Sequence, residues 1–431
     1  MRLQRPRGTS DILPDEASGW RFVERTARRM ARLYGYGEIR TPVFESTELF
    51  MKSVGETTDI VSKEMYTFSD RGGRSLTLRP EGTAPVVRAY LENGLDRADK
   101  AARLYYLGPI FRYEKPQAGR QREHHQFGVE AIGIAEPEAD AEVIQMLIRF
   151  YSELGLSGLT LAINSVGCRG CRPAYGERLK RFLESVAGGI CGDCRRRAEA
   201  NPLRVFDCKK PGCASIIAAA PRVTDSLCPP CREHFDAVCG RLTEDGIAFV
   251  VRKELVRGLD YYTRTAFEVS AAELGAQNAV GGGGRYDDLV ELLGGRPTPA
   301  VGFGTGMERI LAVMAQQGVA VSRERAPAAA VAVWEKEGMA AGRALLRSLR
   351  EAGVAAEMDF GLSSLKSQLR RAHRLGVPLV LLLGMGELAR GVVRIKDMGS
   401  GEEREISLER AAGVIKSETE KDRDGRGAAD D

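Results

Sequence analysis

Arg112 and Glu114 stand two residues apart in FRYE, and Gln126 and Glu130 four apart in QFGVE. In extended chain, residues two or four apart share a face, so each stretch carries a polar face backed by an apolar one, Phe111 and Tyr113 on the first and Phe127 and Val129 on the second. A solvated sheet surface has this pattern. An arginine, two carboxylates and an amide on adjoining strands are also a donor and acceptor set suited to an anion beside a polar ring. The loop between them brings Lys115, Arg120 and Arg122 around Pro116 and Gly119, cations able to reach a polyanion.

A second group of chemically competent residues is the cysteines, all nine of which fall between Cys168 and Cys239. Cys168-x2-Cys171 is followed after nineteen residues by Cys191-x2-Cys194, which fits a four-cysteine zinc pattern; Cys208-x4-Cys213, followed after fourteen by Cys228-x2-Cys231, comes close to it. Taken in chain order these are two sets, although an interleaved pairing satisfies the same spacing. Thiolates suit zinc, and a small module with little core gains much of its stability from a metal. Reduced, unliganded thiols are the competing reading, and Cys239 is left over.

These residues need a scaffold, and 431 residues are enough for two or three domains. Lys and Arg outnumber Asp and Glu by only 63 to 59, so any surface for nucleic acid must be local. No apolar run is long enough to span a bilayer and MRLQRPRGTSDILP lacks the apolar core of a signal peptide, so the expected location is cytoplasmic, with no membrane partner. Trp20, Val23, Ala27, Met30 and Tyr34 recur at helical spacing before Gly35. Strand-like pieces follow at 37–45, 74–80, 103–114 and 124–133, separated by turns rather than helical crossovers. The order predicts an α+β fold, an antiparallel sheet with flanking helices.

Texture changes over 168–240, read as a small inserted Cys-rich module, and strands resume at 248–270. The first domain is thus discontinuous, 1–167 and 241–320. A linker over 316–328 leads to strand, helix, strand, helix and strand in an α/β domain at 327–415, and the charged stretch 416–431 is expected to be a disordered tail. GGGGRYDD (281–288) has neither the dinucleotide-binding nor the Walker spacing, which excludes a Rossmann or P-loop role; glycines there allow close backbone approach to a ligand. Lys366, Arg370, His373 and Arg374 share one helix face opposite Leu365, Leu369 and Ala372.

GPIFRYE…HHQFGVE resembles the second signature of class II aminoacyl-tRNA synthetases in its histidyl form. RGTSDILPDE, GEIRTPVFESTELF, LTLRPEGTA, LVRGLDYYTRTAFE, GGGGRYDDL and AVGFGTGMERI resemble the matching segments of the histidyl-tRNA synthetase family, in the same order, and the likeness runs to about residue 415. It implies an ATP-dependent activation of L-histidine to histidyl-adenylate, then transfer to the 3' end of tRNA(His), with Mg2+ on the outer phosphates.

By the same resemblance Arg112 holds the α-phosphate and the incoming carboxylate, Glu114 the adenine amino group and Arg309 the terminal phosphates, while Arg257 is the histidyl-specific arginine across the α-phosphate. Glu130 and Tyr262 take the imidazole nitrogens, with Glu81, Gly82, Thr83, Gln126 and Tyr261 around the amine and carboxylate and Tyr286 nearby. Taken alone, Tyr261 and Tyr262 read as core residues, and a regular strand would turn only one of them toward a pocket. Arg120 and Arg122 at the loop, and Lys366 and Arg370 in a domain resembling the class II anticodon-binding domain, are the implied tRNA contacts. The family's usual homodimer forms around Arg40 to Glu45. Two other classes fit parts of the chain. The synthetase-like regulatory subunit of ATP phosphoribosyltransferase shares the fold but typically lacks both the RGLDYY segment and the anticodon-binding domain. A pure RNA- or zinc-binding module has no use for Arg112, Gln126, Glu130 and Arg257 together.

Overall fold

The hairpin legible in the sequence is the spine of the first of two compact units, residues 1–322 and 323–431. In this computed structural model the described residues are 3–55, 58–98, 101–115, 120–200, 202–208, 210–321 and 327–424. Strand Ala102–Phe111 pairs antiparallel with Glu123–Ile132, Phe111 lying opposite Glu123 and Tyr106 opposite Gly128. The sheet then continues through Ala300–Gly306, Ala279–Arg285, Thr263–Ser270 and Thr160–Ser165, all antiparallel. Its edges, Gly37–Glu38 and Val250–Val251, pair parallel.

One face of this sheet is covered by helices. Pro14–Leu33 opens with proline in its first turn and with Asp15 and Glu16 near its positive end, and it buries Val23, Ala27 and Met30 as their spacing predicts. It shares a core with Pro137–Glu153 and Met307–Gln316. Phe127 anchors this core, meeting Phe150 at 5.1 Å and Phe303 at 5.5 Å between ring centroids, edge to face.

The other face packs in part against helix Thr83–Glu92 and is crossed by a line of glycines. Glu268, Gly282, Gly304, Gly128 and Tyr106 form one transverse row, so three central strands contribute glycine to the same line. A small second sheet, Phe44–Ser46, Ser75–Leu78 and Tyr66–Ser69, stands apart from it.

Helices Arg172–Ser185, Gly192–Ala200 and Pro211–Ile217 bury Tyr175, Leu179, Val205 and Ile217 in a cluster of their own. The next helix, Pro229–Glu244, leaves that cluster and sends Phe235, Val238 and Leu242 into the main core.

In the second unit Ala356–Met358, Ala329–Ala332 and Leu379–Leu382 run parallel, followed by antiparallel Val392–Asp397 and Glu403–Ser407. The last two strands are absent from the sequence reading because their charged residues mask the alternation of Val393 and Ile395. The tail expectation needs correction. Helix Ala411–Asp424 covers the first part of 416–431, anchored by Ala411, Ala412 and Ile415 in the core, and its charged residues are good helix formers. Residues 425–431 lie outside the described residues. No helix among the described residues is long and apolar enough to cross a membrane.

Candidate active site

The glycine-lined sheet face is the floor of the site. A Cβ added to Gly302 would collide with the Glu130 carboxylate, at Gly304 with the Gln126 amide, at Gly282 with Arg257, at Gly284 with Tyr262, and at Gly82 or Gly128 with the ring of Tyr106. The glycines are there because polar side chains from neighbouring strands lie down over them.

Glu130 is 1% exposed. Its Oε1 accepts a hydrogen bond from Thr83 Oγ1 at 2.7 Å and its Oε2 accepts from the Tyr286 hydroxyl. Burial pushes this carboxyl up to about 8, against the pull of those two donors. Glu81 sits at the start of helix Thr83–Glu92, accepting from the backbone N–H of Thr83 at 2.7 Å and of Ala84 at 2.8 Å, an arrangement that satisfies two orphan donors of the helix terminus. Burial raises Glu81 too, and the Tyr261 hydroxyl reaches it at 3.4 Å.

Tyr261 and Tyr262 both turn inward, their rings 4.8 Å apart, because they precede the regular strand, which begins at Thr263. The Tyr106 hydroxyl donates to Gln126 Oε1 at 3.3 Å. Tyr106 escaped the sequence reading: only the register that seats it over Gly128 gives it a place here.

Beside this pocket opens a cleft of about 530 Å³ lined by Arg112, Glu114, Arg120, Arg257 and Arg309, with Gln126 at the junction. Each cation is held in place. Arg112 Nε donates to the Pro80 carbonyl at 2.7 Å, Arg257 Nη1 to Glu268 Oε2 at 2.7 Å, Arg120 Nη1 to Glu114 Oε2 at 2.8 Å, and Arg309, in the first turn of its helix, to the Ala279 carbonyl. His124 also lines the cleft; burial and then the charge of Arg112 push it down to about 3, so the ring is neutral. Arg197, from the cysteine-bearing segment, reaches the same cleft and pairs with Asp59 at 3.1 Å.

Arg122 is less available than the sequence suggests. Its guanidinium lies 3.8 Å from the Tyr113 ring centroid, and its stem packs on Gly8. Pro116 and Gly119 lie outside the described residues. In the second unit Lys366, Arg370, His373 and Arg374 are exposed on helix Leu365–Leu375, whose opposite side buries Gln368 and Ala372.

The cysteines assemble in a nested order. Cys168, Cys171, Cys228 and Cys231 form one cluster and Cys191, Cys194, Cys208 and Cys213 the other, the ligand atoms of each within 4.8 Å of one another. This overturns the grouping in chain order, because the segment folds back so that its two ends meet. Cys168 Sγ lies 3.8 Å from Cys171 Sγ and 3.9 Å from Cys228 Sγ. A tetrahedron with zinc–sulfur bonds of 2.3 Å has edges of about 3.8 Å, so the thiols fit that ion. In both clusters a backbone N–H donates to a sulfur at 3.1 Å, Cys228 to Cys171 and Cys191 to Cys213.

One further network lay beyond sequence reasoning. Arg285, next to Tyr286, and Asp140, on helix Pro137–Glu153, pair with no exposed side-chain surface, and His234 Nε2 meets Asp140 at 3.3 Å. A charge inside the apolar periodicity of each element was the available signal.

The family model described as Histidyl-tRNA synthetase matches residues 8–169 and 230–310, and that described as Anticodon binding domain matches residues 328–418. The gap in the first match takes in most of the cysteine-bearing segment. The chain is 50% identical over 419 residues to a histidine–tRNA ligase of Desulforamulus reducens, covering 97% of this chain and 100% of the relative. To that of Moorella thermoacetica it is 52% identical over 413 residues, 95% of this chain and 96% of the other. Among solved structures, apo histidyl-tRNA synthetase of S. aureus superposes with a TM-score of 0.82 at 37% identity, covering 96% of this chain and 100% of that one. With two signature domains in order and likeness over nearly its full length, the chain belongs to the class II histidyl-tRNA synthetase family.

Proposed function

We infer that the protein is a histidine–tRNA ligase. The histidine carboxylate attacks the α-phosphorus of ATP and expels pyrophosphate; a hydroxyl of the terminal tRNA ribose then attacks the acyl carbon of the adenylate and AMP leaves. Both steps gather negative charge, which fixed cations stabilise. The observation that carries this reading is the joining of a buried carboxyl, Glu130, held by Thr83 and Tyr286, to a cleft bearing Arg112, Arg257 and Arg309.

In this reading Glu130 and Tyr262 take the imidazole nitrogens, and Glu81, Gly82, Thr83, Gln126, Tyr261 and Tyr286 surround the amine and carboxylate. A substrate without ring nitrogens leaves these buried groups unpaired, which is a stronger discrimination than shape. Arg112 and Arg257 are the catalytic cations on the α-phosphate, Glu114 serves the adenine amino group, and Arg309 the terminal phosphates. A Mg2+ carried by the nucleotide would draw charge from its outer phosphates, and Glu268, which lines the cleft, is a carboxylate that would hold it. Arg120, Arg122, Lys366 and Arg370 face tRNA(His).

The remaining assignments are a cytoplasmic homodimer formed around Arg40 to Glu45, a catalytic domain of 1–167 and 241–320 with 168–240 inserted, an anticodon-binding domain of 327–415, and one structural zinc in each cysteine cluster. The synthetase-like regulatory subunit is disfavoured by the RGLDYY segment and by the anticodon-domain match. Histidine-dependent exchange of labelled pyrophosphate into ATP tests the reading. A folded protein that binds ATP but shows no exchange with histidine would sink it.

A further inference from the structure

The two cysteine clusters differ in what they hold. The inner one ties helix Gly192–Ala200 to the segment around Cys208 and Cys213 within the module's own core. The outer one sits where the chain leaves strand Thr160–Ser165, and its neighbours touch the residues that enter the histidine pocket. The Val166 N–H donates to the Arg264 carbonyl at 2.7 Å and the Arg264 N–H to the Gly167 carbonyl at 2.9 Å, bonding the two residues before Cys168 to the residue two beyond Tyr262. Arg264 has φ +49°, a conformation a long side chain adopts only when its surroundings hold it there. Gly167 has φ +67°, and a Cβ there would meet Cys171, so the turn into the cluster closes only with glycine. On the far side Arg172, directly after Cys171, donates to the carbonyl of Tyr262 itself. From the helix that carries Cys231, His234 contacts Arg264 at 3.3 Å.

The segment 256–262 backs on a cavity of about 290 Å³ bounded by Arg172, Tyr175, Leu179 and Leu203. On that side packing gives the segment no support, so the bonds to Arg172 and Arg264 add to the contacts that Tyr261 makes with Tyr286 and Glu81 on the other.

We propose that the outer centre, Cys168, Cys171, Cys228 and Cys231, is a metal staple that positions Tyr261 and Tyr262, so that losing its zinc disables histidine binding, whereas the inner centre serves the fold of the insert. This rests on the zinc reading given above. Arg172 is the positioning residue that transmits the staple's state to the pocket.

The test measures zinc content by mass spectrometry and histidine affinity by calorimetry on the full-length protein. Wild type should hold two zinc ions per chain. Cys228→Ser should lose one and weaken histidine about tenfold or more, the worth of a charge-assisted hydrogen bond; Cys194→Ser should also lose one with a much smaller shift. Since a cysteine variant can misfold, Arg172→Met is the second arm. It should retain both zinc ions, raise KM for histidine about tenfold, move KM for ATP far less, and recover in part as Arg172→Lys. Wild type without zinc defeats the metal reading alone. Two zinc ions with normal histidine affinity in Arg172→Met overturns the staple.

Discussion

Asp140 and Arg285 form an ion pair with no exposed side-chain surface, Arg285 Nε lying 3.0 Å from Asp140 Oδ2. It joins helix Pro137–Glu153 to the strand that ends beside Tyr286. Arg285 also donates to the Ile134 carbonyl at 2.9 Å and the Glu136 carbonyl at 3.2 Å and pairs with Asp287 at 3.2 Å, so Asp140 is the fully buried one of its two carboxylate partners. Removing Asp140 leaves a fully buried guanidinium with only the partly exposed Asp287 as counter-charge. Asp140→Ala should lose about 3–5 kcal/mol by urea denaturation at pH 7.

The same aspartate sets an acid limit. Burial raises its pKa, but His234 and Arg285 outweigh that and hold it below the ordinary carboxylate range. Its contribution to stability is complete above the unfolded value of about 4 and is lost as pH falls through the lower folded value. Melting temperature measured against pH should drop there, and Asp140→Asn should flatten that drop.

Glu130 acts in the opposite direction. Its folded pKa of about 8 lies above its unfolded value, so the folded state binds the extra proton and stability declines as pH rises from roughly 4 toward 8. Glu130→Gln should therefore melt higher than wild type by a margin that grows between pH 5 and pH 8. It should also lose histidine-dependent exchange. A margin independent of pH would mean that the carboxyl is already ionised in the empty pocket.

Arg257 is pre-positioned by Glu268 at 2.7 Å over the backbone of Gly282. Arg257→Ala should reduce pyrophosphate exchange by about 10²–10³. Loss in KM for ATP with kcat preserved would instead make it a ground-state anchor.

Lys366 and Arg370 are exposed on one helix face of the second unit. A double alanine variant should weaken tRNA binding and lower the slope of log affinity against log salt by about one to two. An unchanged slope would remove this helix from the tRNA surface.

Much of the catalytic unit could be read in advance, for a physical reason. Alternation in FRYE and QFGVE reports faces directly, and the helical spacing from Trp20 to Tyr34 does the same. What stayed hidden depends on long-range register. Tyr106 and His124 enter the site only through the hairpin pairing, and Asp140 meets Arg285 across 145 positions of chain. Cysteine spacing fits nested and sequential pairing alike, because it records local turns and not which turns meet. Charge composition misled at Ala411–Asp424, where three apolar residues suffice to seat a helix whose remainder is polar.

The glycine floor has a consequence for adaptation. Gly128, Gly282, Gly302 and Gly304 leave room for side chains already seated on them, and a side chain ordered before a substrate settles is spared the cost of about 0.5–1.5 kcal/mol for immobilising a flexible one. The same economy leaves the floor unable to drift. Any larger residue there fills the space that Tyr106, Arg257, Glu130 or Gln126 occupies, so a change in amino-acid preference has to arise in the walls.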